Sequence, residues 1–272
     1  MASQTRTIET PAGSRLSREW PEPNEPWASM LIVHGLGEHS GRYERVGDQL
    51  SAAGIRVRSF DLPGFGSSAG TRAYVEEFGH FTDAVAEELG HLVAEPIPTV
   101  LLGHSLGGLI AYRYATSHHL VPDFLVLSAP ALDANAPAWQ RAAAPLLAKV
   151  LPKMSMPNPI AGEQLSRDPA VGEAYFADPL VHTKMTNRLG AEILETMESV
   201  ASSAPPTMPT LVIHGGADTI VPARFSAHLA DTTERKLYAQ LRHELFNEPE
   251  GPEVVADVIA WLRRQIDAPA AL

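Results

Sequence analysis

The residues best suited to covalent chemistry stand together at Gly103-His104-Ser105-Leu106-Gly107, with a further glycine at Gly108. A serine hydroxyl is a weak nucleophile until a neighbouring base takes its proton. The pattern G-x-S-x-G carries meaning between a strand and a helix, where a sharp turn exposes the serine hydroxyl. Residues 99–102 are a short apolar run and residues 106–117 read as a helix, so that context is met. Side chains at the flanking glycine positions would strike neighbouring backbone. A helix that begins directly after Ser105 also turns its N-terminal amides and dipole towards developing negative charge.

Strand–turn–helix serine sites place the nucleophile first, then the acid, then the histidine. The chain has eleven histidines, and position selects His243 as the base. It lies in Leu241-Arg242-His243-Glu244-Leu245, after the last predicted strand and before the terminal helix. His118 and His119 close the helix after Ser105 and are expected to face solvent, as are His80, His91 and His228 in their helical stretches. His104 is expected to point away from the serine and pack against the sheet, and His34 to order its loop by hydrogen bonding. For the acid, Asp218 follows a strand in Ile213-His214-Gly215-Gly216-Ala217-Asp218, where its carboxylate could fix the tautomer of His243 and stabilise its charged form. Asp133, past the preceding strand, is the alternative, and the Gly-Gly turn favours Asp218. Two backbone amides are expected to receive the oxyanion: that of Leu106, after the nucleophile, and that of Leu36, in the turn His34-Gly35-Leu36-Gly37.

These residues need a scaffold that brings strand ends together. Apolar runs at 27–33, 55–60, 99–102, 124–127, 210–213 and 236–239 read as strands of a mostly parallel sheet with both faces covered. A weaker strand is predicted at 15–20. Helices are predicted between them at 42–53, 77–94, 106–117 and 223–230, and at 252–266. Residues 131–206 break the alternation. They hold no good strand, are rich in Ala, Leu, Met and Pro, and are too long for a simple connection. We expect residues 1–130 and 207–272 to form one α/β core and residues 131–206 an inserted helical lid, jointed at Ser128-Ala129-Pro130 and at 204–209.

The 272 residues suffice for one large domain. A formal net charge of −11 speaks against binding nucleic acid or an anionic membrane through bulk charge. The absence of cysteine excludes disulfides, a thiol nucleophile and Cys-ligated metal centres. Residues 1–11 lack the pattern of a signal peptide, and no apolar run is long enough to span a membrane. A cytoplasmic or membrane-peripheral protein is the expectation.

The run His34-Gly35-Leu36-Gly37-Glu38-His39-Ser40-Gly41-Arg42-Tyr43 closely resembles the oxyanion-loop motif of the monoacylglycerol lipases and their lysophospholipase-like relatives. Gly103 to Gly108 looks like their nucleophile turn. Ser166-Arg167-Asp168-Pro169 and Asp178-Pro179-Leu180-Val181 resemble their lid. Gly215 to Asp218 and His243 to Glu248 resemble their acid and base segments. The resemblance implies the α/β-hydrolase fold with a mostly parallel central sheet, flanking helices and an inserted lid. It also implies an apolar acyl tunnel with a polar exit, and hydrolysis of a monoacylglycerol to fatty acid and glycerol without cofactor or metal. Glu38 and Arg42 match polar motif positions and are expected to order the loop or to contact the glycerol end. One departure is Phe65, in Asp61-Leu62-Pro63-Gly64-Phe65-Gly66, where family members usually carry histidine.

The resulting expectation is a Ser-His-Asp carboxylic-ester hydrolase acting on a small lipid ester, its lid offering an apolar face to lipid aggregates. A lysophospholipase, a short-chain esterase or an amidase keeps the same residues with another substrate. A non-catalytic ligand-binding protein of the same fold is a further alternative, disfavoured by the intact set Ser105, Asp218 and His243.

Overall fold

The computed structural model describes residues 2–11, 13–93, 96–117, 121–158 and 160–268. His118 and His119 lie outside the described residues, as does Ala94 at the end of the second predicted helix. The strands are β1 (Gln4–Thr10), β2 (Gly13–Glu19), β3 (Ala28–Val33), β4 (Ile55–Phe60), β5 (Thr99–His104), β6 (Phe124–Ser128), β7 (Ser155–Pro157), β8 (Lys184–Thr186), β9 (Thr210–Gly215) and β10 (Glu234–Tyr238). The α-helices are α1 (Glu44–Ala52), α2 (Gly79–Gly90), α3 (Leu106–Ala115), α4 (Ala138–Val150), α5 (Gly162–Leu165), α6 (Pro169–Ala177), α7 (Asn187–Ala201) and α8 (Gly251–Ile266).

Eight strands form one sheet in the order β1-β2-β4-β3-β5-β6-β9-β10. β2 runs antiparallel to both neighbours, and the remaining pairings are parallel. β3, β5, β6 and β9 are buried along their whole length because helices cover both faces. Alternate side chains serve opposite layers. Met30 and Ile32 pack with Val46, Leu50, Val254 and Trp261, from α1 and α8. Leu31 and Val33 pack with Phe81, Val85, Leu109 and Ile110, from α2 and α3. Each such side chain stabilises the fold by about 1.5–3 kcal/mol relative to exposure.

From β3 the chain steps to β4 on one side and later to β5 on the other. The strand order reverses there, and the loops after β3 and β5 part to leave a crevice at the carboxyl end of the sheet. Ser105 follows β5 and the loop carrying Leu36 follows β3. Both predicted oxyanion donors therefore flank one crevice.

The structure departs from the sequence reading at several elements. β1 is polar and exposed on both faces, so it lacks the apolar alternation that announces a strand; its ladder with β2 holds it. The predicted helix at 223–230 is a 3₁₀ helix, Ala223–Leu229. Residues 131–206 do contain strands: β7 and β8 form a two-stranded antiparallel ribbon too short to show a periodic pattern. This segment lies between β6 and β9, which are parallel neighbours in the main sheet. Its entry is marked by Ala129, which adopts φ +42° and donates its N–H to Ile213 O at 2.9 Å.

Candidate active site

Ser105 occupies the turn between β5 and α3 with φ 54° and ψ −117°, a conformation that costs a non-glycine residue about 1–3 kcal/mol. Its neighbours hold it there. The Ser105 N–H donates to Ser128 O at 2.9 Å, and the Ser105 carbonyl accepts from Leu109 N at 3.1 Å and Ala131 N at 3.0 Å. The flanking glycines are a steric requirement. A Cβ on Gly103 would lie 2.2 Å from Gly107 O, and one on Gly107 would lie 2.1 Å from Val33 O.

His243 sits in the loop after β10, with Nε2 2.9 Å from Ser105 Oγ and Nδ1 2.7 Å from Asp218 Oδ2. The carboxylate only accepts, so Nδ1 carries the proton and Nε2 is free to receive one from the serine. Asp218 is aimed by its own loop, since Oδ1 accepts from the amides of Ile220 and Val221, each at 2.9 Å. Burial works against the charged form of His243, but the adjacent Asp218 outweighs it and raises the pKa above the ordinary 6.5. Burial would likewise raise Asp218, yet His243 and then His214 hold its pKa well below the carboxylate range. Asp133 is exposed and pairs with Arg141 at 2.6 Å, and the carboxylate that meets His243 is that of Asp218.

Leu36 and Leu106 line the same cavity as Ser105 and His243. Gly35 presses so near that a Cβ on it would lie 3.2 Å from Ser105 Cβ. The Gly35 N–H donates to Glu38 Oε1 at 2.6 Å, immediately before the Leu36 amide. His34 orders this loop: Nδ1 lies 2.8 Å from Gly35 O, and Nε2 accepts from Leu62 N at 2.9 Å. Phe65 packs edge-on beneath His34, with centroids 5.9 Å apart, and supports the loop from below.

Glu38 and Arg42 are joined by an ion pair at 2.9 Å and order the loop from inside. Glu38 also accepts from Tyr43 Oη at 2.8 Å. Burial would raise Glu38, but Arg42 and nearby imidazoles bring it down to about 2. Arg42 forms a two-pronged pair with Glu244, at 2.5 and 2.8 Å, and stacks on Tyr175 at 4.8 Å. Glu38 lines the main cavity.

His104 meets expectation in part. Its ring meets the sheet through Nδ1, 3.1 Å from Ser128 Oγ at the end of β6, as expected, but it also lies against His243, with centroids 4.8 Å apart. Burial first, then the neighbouring His243, pushes its pKa down to about 4, so it is neutral beside the base. His80, His91 and His228 are exposed. Sequence reasoning missed His214. Its Nε2 donates to Val221 O at 2.7 Å and lies 3.5 Å from Asp218 Oδ2, the oxygen that faces His243. The usable signal was a histidine at a buried strand end, four residues before the acid.

The cavity above Ser105 measures about 440 Å³ and is walled mainly by apolar side chains. Leu147, Met185, Ile193, Leu194 and Met197 come from residues 131–206, and Ile220 and Val221 from the loop after β9. Such a site can hold a chain-like apolar group against a serine nucleophile.

Comparison with known proteins agrees with this geometry. Residues 24–250 match a family model described as serine aminopeptidase, S33. A monoacylglycerol lipase of Mycolicibacterium smegmatis is 33% identical over 281 residues, spanning 96% of this chain and 99% of that protein. The chain belongs to the monoacylglycerol lipase and lysophospholipase-like family of α/β-hydrolases. It is therefore a serine hydrolase. Among other members, the monoglyceride lipase of Homo sapiens is 32% identical over 253 residues, covering 89% of this chain and 82% of its own. The crystal structure of Paleococcus ferrophilus monoacylglycerol lipase matches with a TM-score of 0.79 at 31% identity, over 96% of this chain and 98% of that one.

Proposed function

We propose that this hydrolase cleaves monoacylglycerols to fatty acid and glycerol, with Ser105 as nucleophile, His243 as base and Asp218 as the acid that orients it. The observation that carries the reading is the hydrogen-bonded series Asp218–His243–Ser105, at 2.7 and 2.9 Å, on the floor of an apolar cavity. Relatives named monoacylglycerol lipase, aligned along nearly the whole chain, support the substrate class.

Ser105 Oγ attacks the ester carbonyl while its proton passes to His243 Nε2. The carbonyl oxygen becomes an oxyanion, which the amides of Leu36 and Leu106 receive; one such donor is worth about 2.7–4 kcal/mol. Collapse expels the glycerol oxygen, which takes the proton from His243. A water then loses its proton to the same nitrogen, attacks the acyl-serine and releases the fatty acid. Asp218 stays ionised throughout and stabilises the imidazolium.

Residues 131–206 act as the lid, and its apolar wall holds the acyl chain. Trp139, Leu146 and Val150 on α4 are 68%, 65% and 64% exposed, and they form the face that meets lipid aggregates, making the protein membrane-peripheral. Among the described residues no helix is long and apolar enough to cross a membrane.

The test is hydrolysis of monoacylglycerols, diacylglycerols, lysophosphatidylcholine, p-nitrophenyl butyrate and an aminoacyl amide, read as release of the free acid, p-nitrophenolate or the amine. Preferential turnover of monoacylglycerols, lost in Ser105→Ala, is the expected result. Preference for the amide would instead favour the chemistry in the family model's description, and preference for the lysophospholipid would replace the substrate.

A further inference from the structure

The loop after β3 carries the second oxyanion donor, and it is gripped from two sides. On the inside, Glu38 holds the amide of Gly35. On the outside, the grip comes from the lid strap at residues 178–182. The strap's His182 N–H donates to Gly37 O at 2.7 Å. The approach is so close that a Cβ on Gly37, which has φ +78°, would lie 2.5 Å from His182 O and 3.1 Å from Tyr175 Oη. Gly37 directly follows Leu36, and its carbonyl lies two peptide units past the Leu36 N–H, so this contact holds the short loop on the far side of that amide while Glu38 holds the near side.

A second contact lies beside it. His39 caps the 3₁₀ turn Ser40–Tyr43: its Nδ1 accepts from Gly41 N at 3.1 Å. With that lone pair committed, the ring hydrogen stands on Nε2 and is donated to Asp178 Oδ2 at 2.9 Å. The other oxygen of Asp178 accepts from Leu180 N at 2.8 Å, and Val181 N donates to Asp178 O at 3.2 Å. One carboxylate thus folds the strap into the turn that presents His182 and also fastens it to the oxyanion loop. His39 has 7% of its side chain exposed and Asp178 29%, so the pair is shielded enough to persist.

We infer that Asp178 and His39 are positioning residues for the oxyanion hole, so that the seating of the lid strap sets how well the enzyme stabilises the transition state. The inference rests on the assignment of Leu36 made above. Neither residue touches the reacting atoms. The lid is therefore part of the catalytic apparatus as well as the wall of the acyl cavity, and displacing the strap slows acyl transfer even for a substrate too short to reach that wall.

The test uses p-nitrophenyl butyrate, with rates expressed per active site titrated by a fluorophosphonate. His39→Asn keeps an acceptor suited to cap Gly41 but is too short to reach Asp178. His39→Gln extends an amide N–H to where Nε2 stood. Asp178→Ala removes the partner. Asp178→Ala and His39→Asn should lower kcat per site about 10- to 100-fold with KM within about two-fold, while His39→Gln recovers most of the rate. Affinity for an alkylboronic acid, whose tetrahedral adduct fills the oxyanion hole, should fall in parallel with kcat, and affinity for the product fatty acid should not. Unchanged kcat per site with fewer titratable sites would show that the pair only keeps the lid folded and would overturn the inference. A parallel loss of fatty-acid affinity would overturn it as well. A wild type that cleaves the short ester but no monoacylglycerol would remove the substrate reading and leave this one standing.

Discussion

At the floor of the cavity, Ser105, Asp218 and His243 stand just past the ends of β5, β9 and β10, and backbone bonds such as Ser105 N–H to Ser128 O tie this floor to the sheet. The roof lies outside the main sheet. Its residues 160–182 are seated by buried polar contacts with the loops below. Glu248, with a fully buried side chain, accepts from Ser166 Oγ at 3.2 Å, Arg167 N at 3.0 Å and Arg242 N at 2.7 Å, and Glu244 N donates to Leu165 O at 2.8 Å. Within the rest of the roof, α7 packs Leu189, Ile193, Met197 and Val200 into the core, whereas along α4 Ala148 is the one buried residue. Chemistry needs distances fixed to a fraction of an ångström, which a sheet supplies. Admission of an apolar substrate needs a surface that can exchange water for lipid, the role proposed above for α4.

The contrast can be tested first where the effect is largest. Asp218→Asn should leave the floor in place but strand His243 in the wrong tautomer, lowering kcat by about 10⁴-fold with little change in KM. The same residue sets the pH dependence. Only neutral His243 can take the serine proton, so kcat/KM rises with pH through the His243 pKa, and Asp218 places that rise above 6.5. The residual activity of Asp218→Asn should therefore show its rise at lower pH than the wild type. A rise at unchanged pH would mean that another group controls it.

Breaking the anchored part of the roof comes next. Glu248→Ala leaves Ser166 Oγ and the amides of Arg167 and Arg242 without this acceptor, while the Arg167 guanidinium keeps Glu250, at a cost of about 1–3 kcal/mol for each buried donor left unpaired. Denaturant unfolding should show the loss, and proteolysis should cut first within 160–182. The smallest effect belongs to the exposed part. Trp139→Asp with Leu146→Asp should weaken turnover of aggregated long-chain monoacylglycerol about ten-fold and leave a short soluble ester unaffected. Equal losses on both substrates would mean that α4 shapes the cavity rather than the lipid contact.

The same contrast explains what the sequence made legible. Ser105 was readable because a strand, a glycine turn and a helix are contiguous, and His243 because the order of such sites places it after the last strand. The buried strands β3, β5, β6 and β9 were readable as unbroken apolar runs. β1 was not, because backbone pairing and polar contacts such as Arg6–Glu19 hold it, with no apolar alternation to announce it. The contacts of the roof were illegible for a different reason. Asp178 and His39 are 139 positions apart, as are no periodic partners, and nothing local marks them as a pair. The contact of His104 with His243 was not readable, because a turn's geometry, and not its sequence, decides that the ring also lies on His243. Phe65 departs from the family's histidine without disturbing the relay, since it supports the oxyanion loop from beneath.

The central claim is that a monoacylglycerol is cleaved through an acyl group on Ser105. Rapid mixing of the protein with a monoacylglycerol, an acid quench and mass spectrometry of the digested chain test it directly. One acyl group on the peptide containing Ser105, absent in Ser105→Ala, is the predicted result. Continued release of fatty acid by Ser105→Ala, or an acyl group on a different residue, would contradict it.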